Sequence, residues 1–271
     1  MDASTKRVEM VPAKRRALIL DHLRIVGAAS IQELADTIGG SQSTVRRDLE
    51  HLAEKGYLER THGGAHLTQP LRATFEREAP VNAALMHAAK VAIGEEAAKR
   101  LGSGDSVIFD GSSTVMEAVK VVACRRIALT VITNSLDIGR VCSKIPDWRV
   151  IIPGGTIRTG FNNLAGQPGE EFIKSLHADI CLMGASAVTG SMLTDNSLEV
   201  ASLKRAMIAS ARSTILLVDS SKFTAPGFCT LCDVREFHEV ITDDGIEQDV
   251  QSTLKSTETL LTIVSPAKPK G

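Results

Sequence analysis

The chain has 271 residues, enough for one large domain or two ordinary ones at roughly 100–200 residues each. With 43% hydrophobic and 23% charged residues it has a globular balance, which excludes a disordered or fibrous chain. Its 31 Lys+Arg against 32 Asp+Glu (net charge −1) exclude a uniformly basic coat, so nucleic-acid contact must rest on a local patch, and 3% aromatic residues argue against a base-stacking platform for single strands.

Residues 1–16 carry mixed charge and no apolar stretch behind a basic one, so no secretory signal is expected. Apolar runs are a few residues long, far below the ~20 of a membrane span, and no membrane contact is expected. Five cysteines, Cys124, Cys142, Cys181, Cys229 and Cys232, are scattered and odd in number. They suit reduced thiols in a cytoplasmic protein rather than a disulfide framework.

Three helical patterns come first. Residues 13–26 place Leu18, Ile19, Leu20, Leu23 and Val26 on an apolar stripe that ends at Gly27. Ser30-Ile-Gln-Glu33 reads as a capping box opening a helix that runs to Gly39 and Gly40. Ser41 is a second N-cap candidate, and the helix 42–55 stops at Gly56. Two short helices around that glycine pair fit a helix-turn-helix. The second helix would enter the major groove with Ser41, Gln42, Ser43, Thr44, Arg46 and Arg47 at its leading end. Gln and Arg read base edges, while Ser, Thr and helix N-termini hold phosphates. Val45, Leu49 and Leu52 fall on the opposite, core-facing stripe. A hairpin over 57–66 would form a wing, with Arg60 and His62 near the backbone phosphates.

The stretch 68–80 is polar, contains Pro70 and Pro80, and lacks periodicity. The expected division is therefore a DNA-binding domain over 1–68, a linker over 69–82 and an α/β domain over 83–271. In the last of these a helix is expected over 83–101. Strand-like runs follow at 106–110, 127–133, 149–152, 179–183, 213–219, 239–242 and 260–264. Helical runs at 113–122, 136–142, 169–176 and 198–211 lie among them. That alternation predicts a mostly parallel sheet.

Ligands of such sheets sit beyond the carboxyl ends of the strands. Four turns stand there: Asp110-Gly-Ser112-Ser113-Thr114, Thr133-Asn134-Ser135, Pro153-Gly154-Gly155-Thr156 followed by Arg158, and Asp219-Ser-Ser-Lys222. Small hydroxyls and helix N-terminal amides suit an anion such as phosphate. Together with Lys204 they point to a pocket for an anionic small molecule. No cofactor or metal is implied. Cys229-Thr-Leu-Cys232 has CxxC spacing but no second pair, and a structural zinc needs four N or S ligands.

The runs Ser43-Thr-Val-Arg-Arg-Asp-Leu49 and Arg60-Thr-His-Gly-Gly-Ala65 resemble the DNA-binding segment of the DeoR family of bacterial regulators. The resemblance continues through Val131-Ile-Thr-Asn-Ser-Leu136, Pro153-Gly-Gly-Thr-Ile-Arg158, Glu199 with Lys204, and Leu217-Val-Asp-Ser-Ser-Lys-Phe223. It implies a small winged helix-turn-helix domain followed by an α/β sensor domain with a fold similar to ribose-5-phosphate isomerase. It also implies double-stranded operator DNA and a phosphorylated sugar or related metabolite as partners. The protein would be a repressor acting as a homo-oligomer, a dimer or tetramer. The chain departs from the family where Asp-x-Gly-Thr-Thr is usual, reading Ser112 and Ser113 in place of Gly and Thr. The alternative is an isomerase- or deaminase-like enzyme with an added DNA-binding head, drawing acid and base groups from Asp110, Asp195, Glu199 and Lys204.

Overall fold

A computed structural model describes residues 10–67, 79–224 and 226–267, with Arg24 and Ile25 as backbone only. Most of the expected linker thus lies outside the described residues. The described residues form two compact units, 10–67 with 79–85, and 86–267.

The first unit opens with α1 (Pro12–Val26), which starts on a proline and is closed by Gly27 at φ 78, whose N–H donates to Leu23 O. A strand that the sequence reading did not foresee, β1 (Ala28–Ser30), leads straight into α2 (Ile31–Ile38). Both halves of the capping box form: Glu33 N–H donates to Ser30 Oγ at 3.2 Å, and Ser30 N–H to Glu33 Oε2 at 2.7 Å. Gly39 ends α2 in the left-handed region, where a side chain would be strained. Next come α3 (Gln42–Glu54), β2 (Leu58–Arg60), β3 (Gly64–Leu67) and α4 (Ala79–Ala84), which packs on α1. Ile19, Leu23, Leu34, Val45, Leu49 and Leu52 are sealed from water and form the centre of the unit. The wing is three-stranded, in the order β1-β3-β2. Gly64 is required there, because a Cβ on it would lie 2.0 Å from Ala29 O.

The expected single helix 83–101 is broken. Met86 sits at φ 52, and α5 (His87–Ala98) begins after it. The break falls where the chain passes from one unit to the other.

The second unit is built on seven strands: β4 (Ser106–Phe109), β5 (Leu129–Thr133), β6 (Trp148–Ile151), β9 (Ala178–Met183), β12 (Ala211–Leu217), β14 (Glu239–Asp243) and β15 (Leu260–Val264). They pair in the order β15-β14-β12-β9-β4-β5-β6, every neighbour parallel. These are the seven runs read as strands from the sequence. The helices α6 (Ser113–Ala123), α7 (Leu136–Cys142), α8 (Gly169–Lys174), α9 (Leu198–Ala209) and α10 (Gln248–Lys255) lie along the same stretch of chain. Each strand alternates: Val107 and Phe109 belong to one apolar core and Ile108 to the other. The short pieces β7 (Thr156–Arg158) and β8 (Asn163–Ala165) form a hairpin. The strands β10 (Ala187–Thr189), β11 (Met192–Asp195) and β13 (Cys229–Asp233) form a second small sheet. The two cysteines of the CxxC run stand on β13.

Strand order sets the position of the site. From β4 the chain moves outward to β5 and β6, returns to place β9 on the other side of β4, and then moves outward to β12, β14 and β15. The direction reverses between β4 and β9, and such a switch point leaves a crevice at the carboxyl ends of the two strands.

Three glycines test this packing. Gly64→Ala is expected to lower stability by about 1–3 kcal/mol through overpacking, whereas Gly63→Ala, with nothing within 4 Å of its Cβ, is expected to be neutral. Gly94→Ala in α5 is also expected to destabilise, since its Cβ would lie 2.6 Å from Ala118 N in α6. Urea unfolding of the full chain checks all three. The Gly94 result runs against helix propensity, which favours alanine by about 1 kcal/mol.

Candidate functional site

The first candidate surface is the leading end of α3. Ser41 caps it, accepting from Thr44 N–H at 3.2 Å, and its hydroxyl meets those of Ser43 and Thr44 at 2.9 Å each. Gln42 donates its amide to Gln32 Oε1 on α2, and Gln32 donates in turn to Asp36 Oδ1 at 2.9 Å. Arg46 and Arg47 are exposed and make no ion pair among the described residues. Val45, Leu49 and Leu52 on the other side are buried. Arg60 on β2 is exposed and pairs with Glu50 at 3.0 Å, and His62 stands exposed at the wing turn.

Asp48 was passed over in the sequence reading. It is 2% exposed and accepts from Arg15 Nη2 at 3.1 Å, from Arg15 Nε, and from Arg16 Nε at 3.2 Å. One buried carboxylate thereby ties α3 to α1. The signal was available: position 48 falls on the stripe of Val45, Leu49 and Leu52, and a carboxylate there requires a cation.

The second candidate site is the crevice between β4 and β9. Asp110 ends β4 and is 2% exposed. Its Oδ2 accepts from Gly184 N–H at 3.1 Å and lies 3.3 Å from Lys204 Nζ. That ammonium, on α9, donates to Gly184 O at 2.9 Å and lies 3.7 Å from Asp195 Oδ2 at the end of β11. Burial alone would lower the Lys204 pKa. The two carboxylates outweigh it and hold the group above its ordinary value. Asp195 is also fully engaged: Oδ1 accepts from the N–H groups of Asn196 and Ser197, and Oδ2 from Ser186 Oγ. Gly184 fits between these groups only without a side chain, since a Cβ would lie 2.3 Å from Ser112 Oγ.

Several of the expected ligand residues also hold the loops together. Ser112 caps α6, accepting from Thr114 N–H at 3.2 Å. Thr133 Oγ1 accepts from Ser135 N–H at 3.1 Å. Asn134 accepts from Gly111 N–H at 2.9 Å and donates to Leu164 O at 3.1 Å, joining the ends of β4 and β5 to β8. Asn163, not foreseen, donates to Gly111 O at 2.7 Å from the same hairpin. Ser113 is half-buried and Thr114 buried at the start of α6. Gly154 and Gly155 have φ of 87 and 122, and a Cβ on Gly155 would lie 2.7 Å from Ala165 O, so they shape the approach to β7 and β8.

Arg158 on β7 stacks over Phe161, 4.7 Å from the ring centroid. Glu199 is exposed. Its own backbone N–H and then the Ser197 hydroxyl lower its pKa, and the charge of Arg158 adds to the effect. The fold thus brings Arg158 and Glu199 near each other, and Asp110, Ser112 and Lys204 together at the switch point. Lys222 follows β12, two strands from β4. Asp219, just before it, is fully buried with Oδ2 lacking a hydrogen bond, while Oδ1 accepts from Ser221 N–H at 3.1 Å.

The cysteines of the CxxC run do not form a thiolate pair. Burial pushes the Cys232 thiol up to about 12, and Cys229, also raised by burial, donates to Asp195 O. No group of three or more metal-ligating side chains occurs among the described residues, and no described helix is long and apolar enough to cross a membrane.

Residues 15–70 match a model of the DeoR-like helix-turn-helix domain, and residues 85–244 match the DeoR C terminal sensor domain. The chain is 30% identical to an HTH-type transcriptional regulator, GlpR, of Haloferax volcanii, over 91% of this chain and 96% of that one. It is 32% identical to the L-fucose operon activator of Haemophilus influenzae (88% and 94%), and 30% identical to the transcriptional repressor AccR of Agrobacterium fabrum (88% and 92%). Ribose 5 phosphate isomerase A from Neisseria gonorrhoeae aligns over 50% of this chain and 53% of its own, at 11% identity and a TM-score of 0.37, a likeness too slight to carry an argument.

The ion cluster yields a stability test. Lys204→Met removes the one cation shared by two buried carboxylates, and is expected to cost about 3–5 kcal/mol. Urea unfolding at neutral pH measures the loss. An unchanged unfolding midpoint would contradict the cluster.

Proposed function

The chain belongs to the DeoR family of transcriptional regulators, and from that premise we propose that it represses a carbohydrate or polyol catabolic operon under control of a phosphorylated sugar-like metabolite. As a regulator it acts on DNA rather than by turnover. The wall of its crevice is consistent with that: Lys204, one of the four acid or base groups of the isomerase-like reading, is enclosed by Asp110, Asp195 and Gly184 O.

The observation that carries the sensing half is the crevice at the strand-order reversal, within the stretch that matches the sensor-domain model. We place a phosphate at the N-terminus of α6, held by backbone amides, by the hydroxyls of Ser113 and Thr114, and by Lys222 as a point charge. Arg158 and Glu199 stand at the rim. The DNA-reading half rests on α3, with Arg46, Arg47 and Gln42 toward base edges, Ser41, Ser43 and Thr44 toward phosphates, and Arg60 and His62 on the wing. Relatives named for an L-fucose operon and an aga operon support a carbohydrate gene set. Relatives named as repressors support repression, while the L-fucose relative is named an activator. A homo-oligomer in the cytoplasm, two-fold symmetric and matched to paired half-sites, completes the reading.

Duplexes selected by the protein from a random pool supply an operator for the tests. Arg46→Ala or Arg47→Ala is expected to cost about 1–3 kcal/mol of binding to it. A base reader relaxes preference at one position, and a phosphate holder lowers the salt slope by about one. If the double variant binds as well as the parent at moderate salt, α3 is not the reading helix. Lys222→Met is expected to fold and bind operator normally while losing most of its response to sugar phosphates. Loss of operator binding with the response intact would move Lys222 to the DNA side.

A further inference from the structure

We propose that Asp110 accepts a hydrogen bond from a hydroxyl group of the bound metabolite, so that the crevice selects polyol or sugar phosphates over organic phosphates lacking hydroxyls. The inference rests on the reading of the crevice as a phosphorylated-metabolite site, and it concerns a hydroxyl of the ligand rather than its phosphate.

The charges set the argument. Two carboxylates face one ammonium here, so this cluster is net acidic and does not itself hold the phosphate. Lys204 donates to Gly184 O at 2.9 Å and is drawn to Asp110 Oδ2 at 3.3 Å and Asp195 Oδ2 at 3.7 Å, so its charge is already shared between two carboxylates. Asp195 has no acceptor to spare, since both of its oxygens are engaged by backbone or side-chain donors. Asp110 differs from both. Its Oδ2 is held by Gly184 N–H and Lys204, while Oδ1 takes no hydrogen bond among the described residues. Oδ1 is not a sealed orphan of the kind seen at Asp219 Oδ2, so it keeps access to the crevice although the residue is 2% exposed.

A carboxylate oxygen so placed accepts strongly from a hydroxyl, because the bond is charge-assisted and the surroundings are poor in water. Closing the crevice over a ligand without that hydroxyl would leave a desolvated charge unmatched, a large penalty. Sites built around a ligand hydroxyl reject the analogue lacking it far more strongly than apolar pockets reject a missing methylene. The geometry around Asp110 is rigid. Ser112 N–H donates to Asp110 O at 2.7 Å, and Gly184 is held without a Cβ against Ser112. The carboxylate therefore cannot turn to hide its open oxygen.

The test uses the full chain and calorimetric titration with inorganic phosphate, glycerol 3-phosphate, ribitol 5-phosphate, sorbitol 6-phosphate and propyl phosphate. At least one hydroxylated phosphate is expected to bind at least about tenfold more tightly than propyl phosphate. In Asp110→Asn, Gly184 N–H keeps the amide oxygen at the Oδ2 place and turns the NH2 outward, replacing an acceptor by a donor. That variant is expected to lose the preference. Asp195→Asn removes the same charge beside Lys204 without touching an open acceptor, and is expected to keep it. Equal binding of hydroxylated and propyl phosphates by the parent, or a preference that survives Asp110→Asn, overturns the proposal. Loss of the preference in Asp195→Asn as well overturns it too, since Asp110 would then act only through the ion cluster. If Asp110→Asn does not fold, the parent series decides alone. Failure of every phosphate to bind instead overturns the reading of the crevice as a phosphate site.

Discussion

The ammonium of Lys204 is the point through which the second unit is assembled around its crevice. One group on α9 gathers the end of β4 through Asp110, the end of β9 through Gly184 O, and the end of β11 through Asp195. The sheet order makes the crevice, but a reversal between parallel strands leaves loop ends that nothing in the ladder joins. The buried cluster joins them. Its cost is the desolvation of three charges, so it is a device for placing loops more than for stability. Gly184 follows from it. The N–H of that residue meets one carboxylate and its C=O meets the ammonium, and no side chain fits beside Ser112.

A second, neutral network works beside it. Asn134 and Asn163 bond to the two sides of Gly111, one accepting from its N–H and the other donating to its C=O. They bind the hairpin of β7 and β8 to the ends of β4 and β5. The approach to α6 is thus enclosed by backbone that side-chain amides hold in place. Thr133 and Asn134 belong to the same framework through their bonds to neighbouring backbone.

The seven central strands were legible because each is a short apolar run, and the parallel arrangement followed from the helical runs between them. The capping box at Ser30 and Glu33 and the cap at Ser41 were legible because their chemistry is local. What escaped is non-local. The strand β1 is three residues that pair only because β3 returns to them, and Gly64 permits the approach. The helix expected over 83–101 keeps an unbroken periodicity, yet Met86 interrupts it at the border of the two units. At the crevice, the four turns were found from residue type, but residue type does not tell an acceptor facing a ligand from one facing a neighbouring amide. Asp110 and Asp195 read alike in sequence. Only the fold shows one with an open oxygen and the other with none.

The clamp at Asp48 has a consequence for how such a protein diversifies. The side of α3 that carries Asp48, Val45, Leu49 and Leu52 fixes the axis of the helix, through Arg15 and Arg16 on one hand and apolar burial on the other. The exposed positions 42, 43, 46 and 47 take no part in that anchoring to α1. Substitutions at 43, 46 and 47 can accumulate without altering how the helix is presented, while Gln42 also bonds Gln32 on α2. One scaffold can therefore serve many gene sets, its vocabulary changing at a few exposed positions while its grammar stays locked by one buried carboxylate and two arginines.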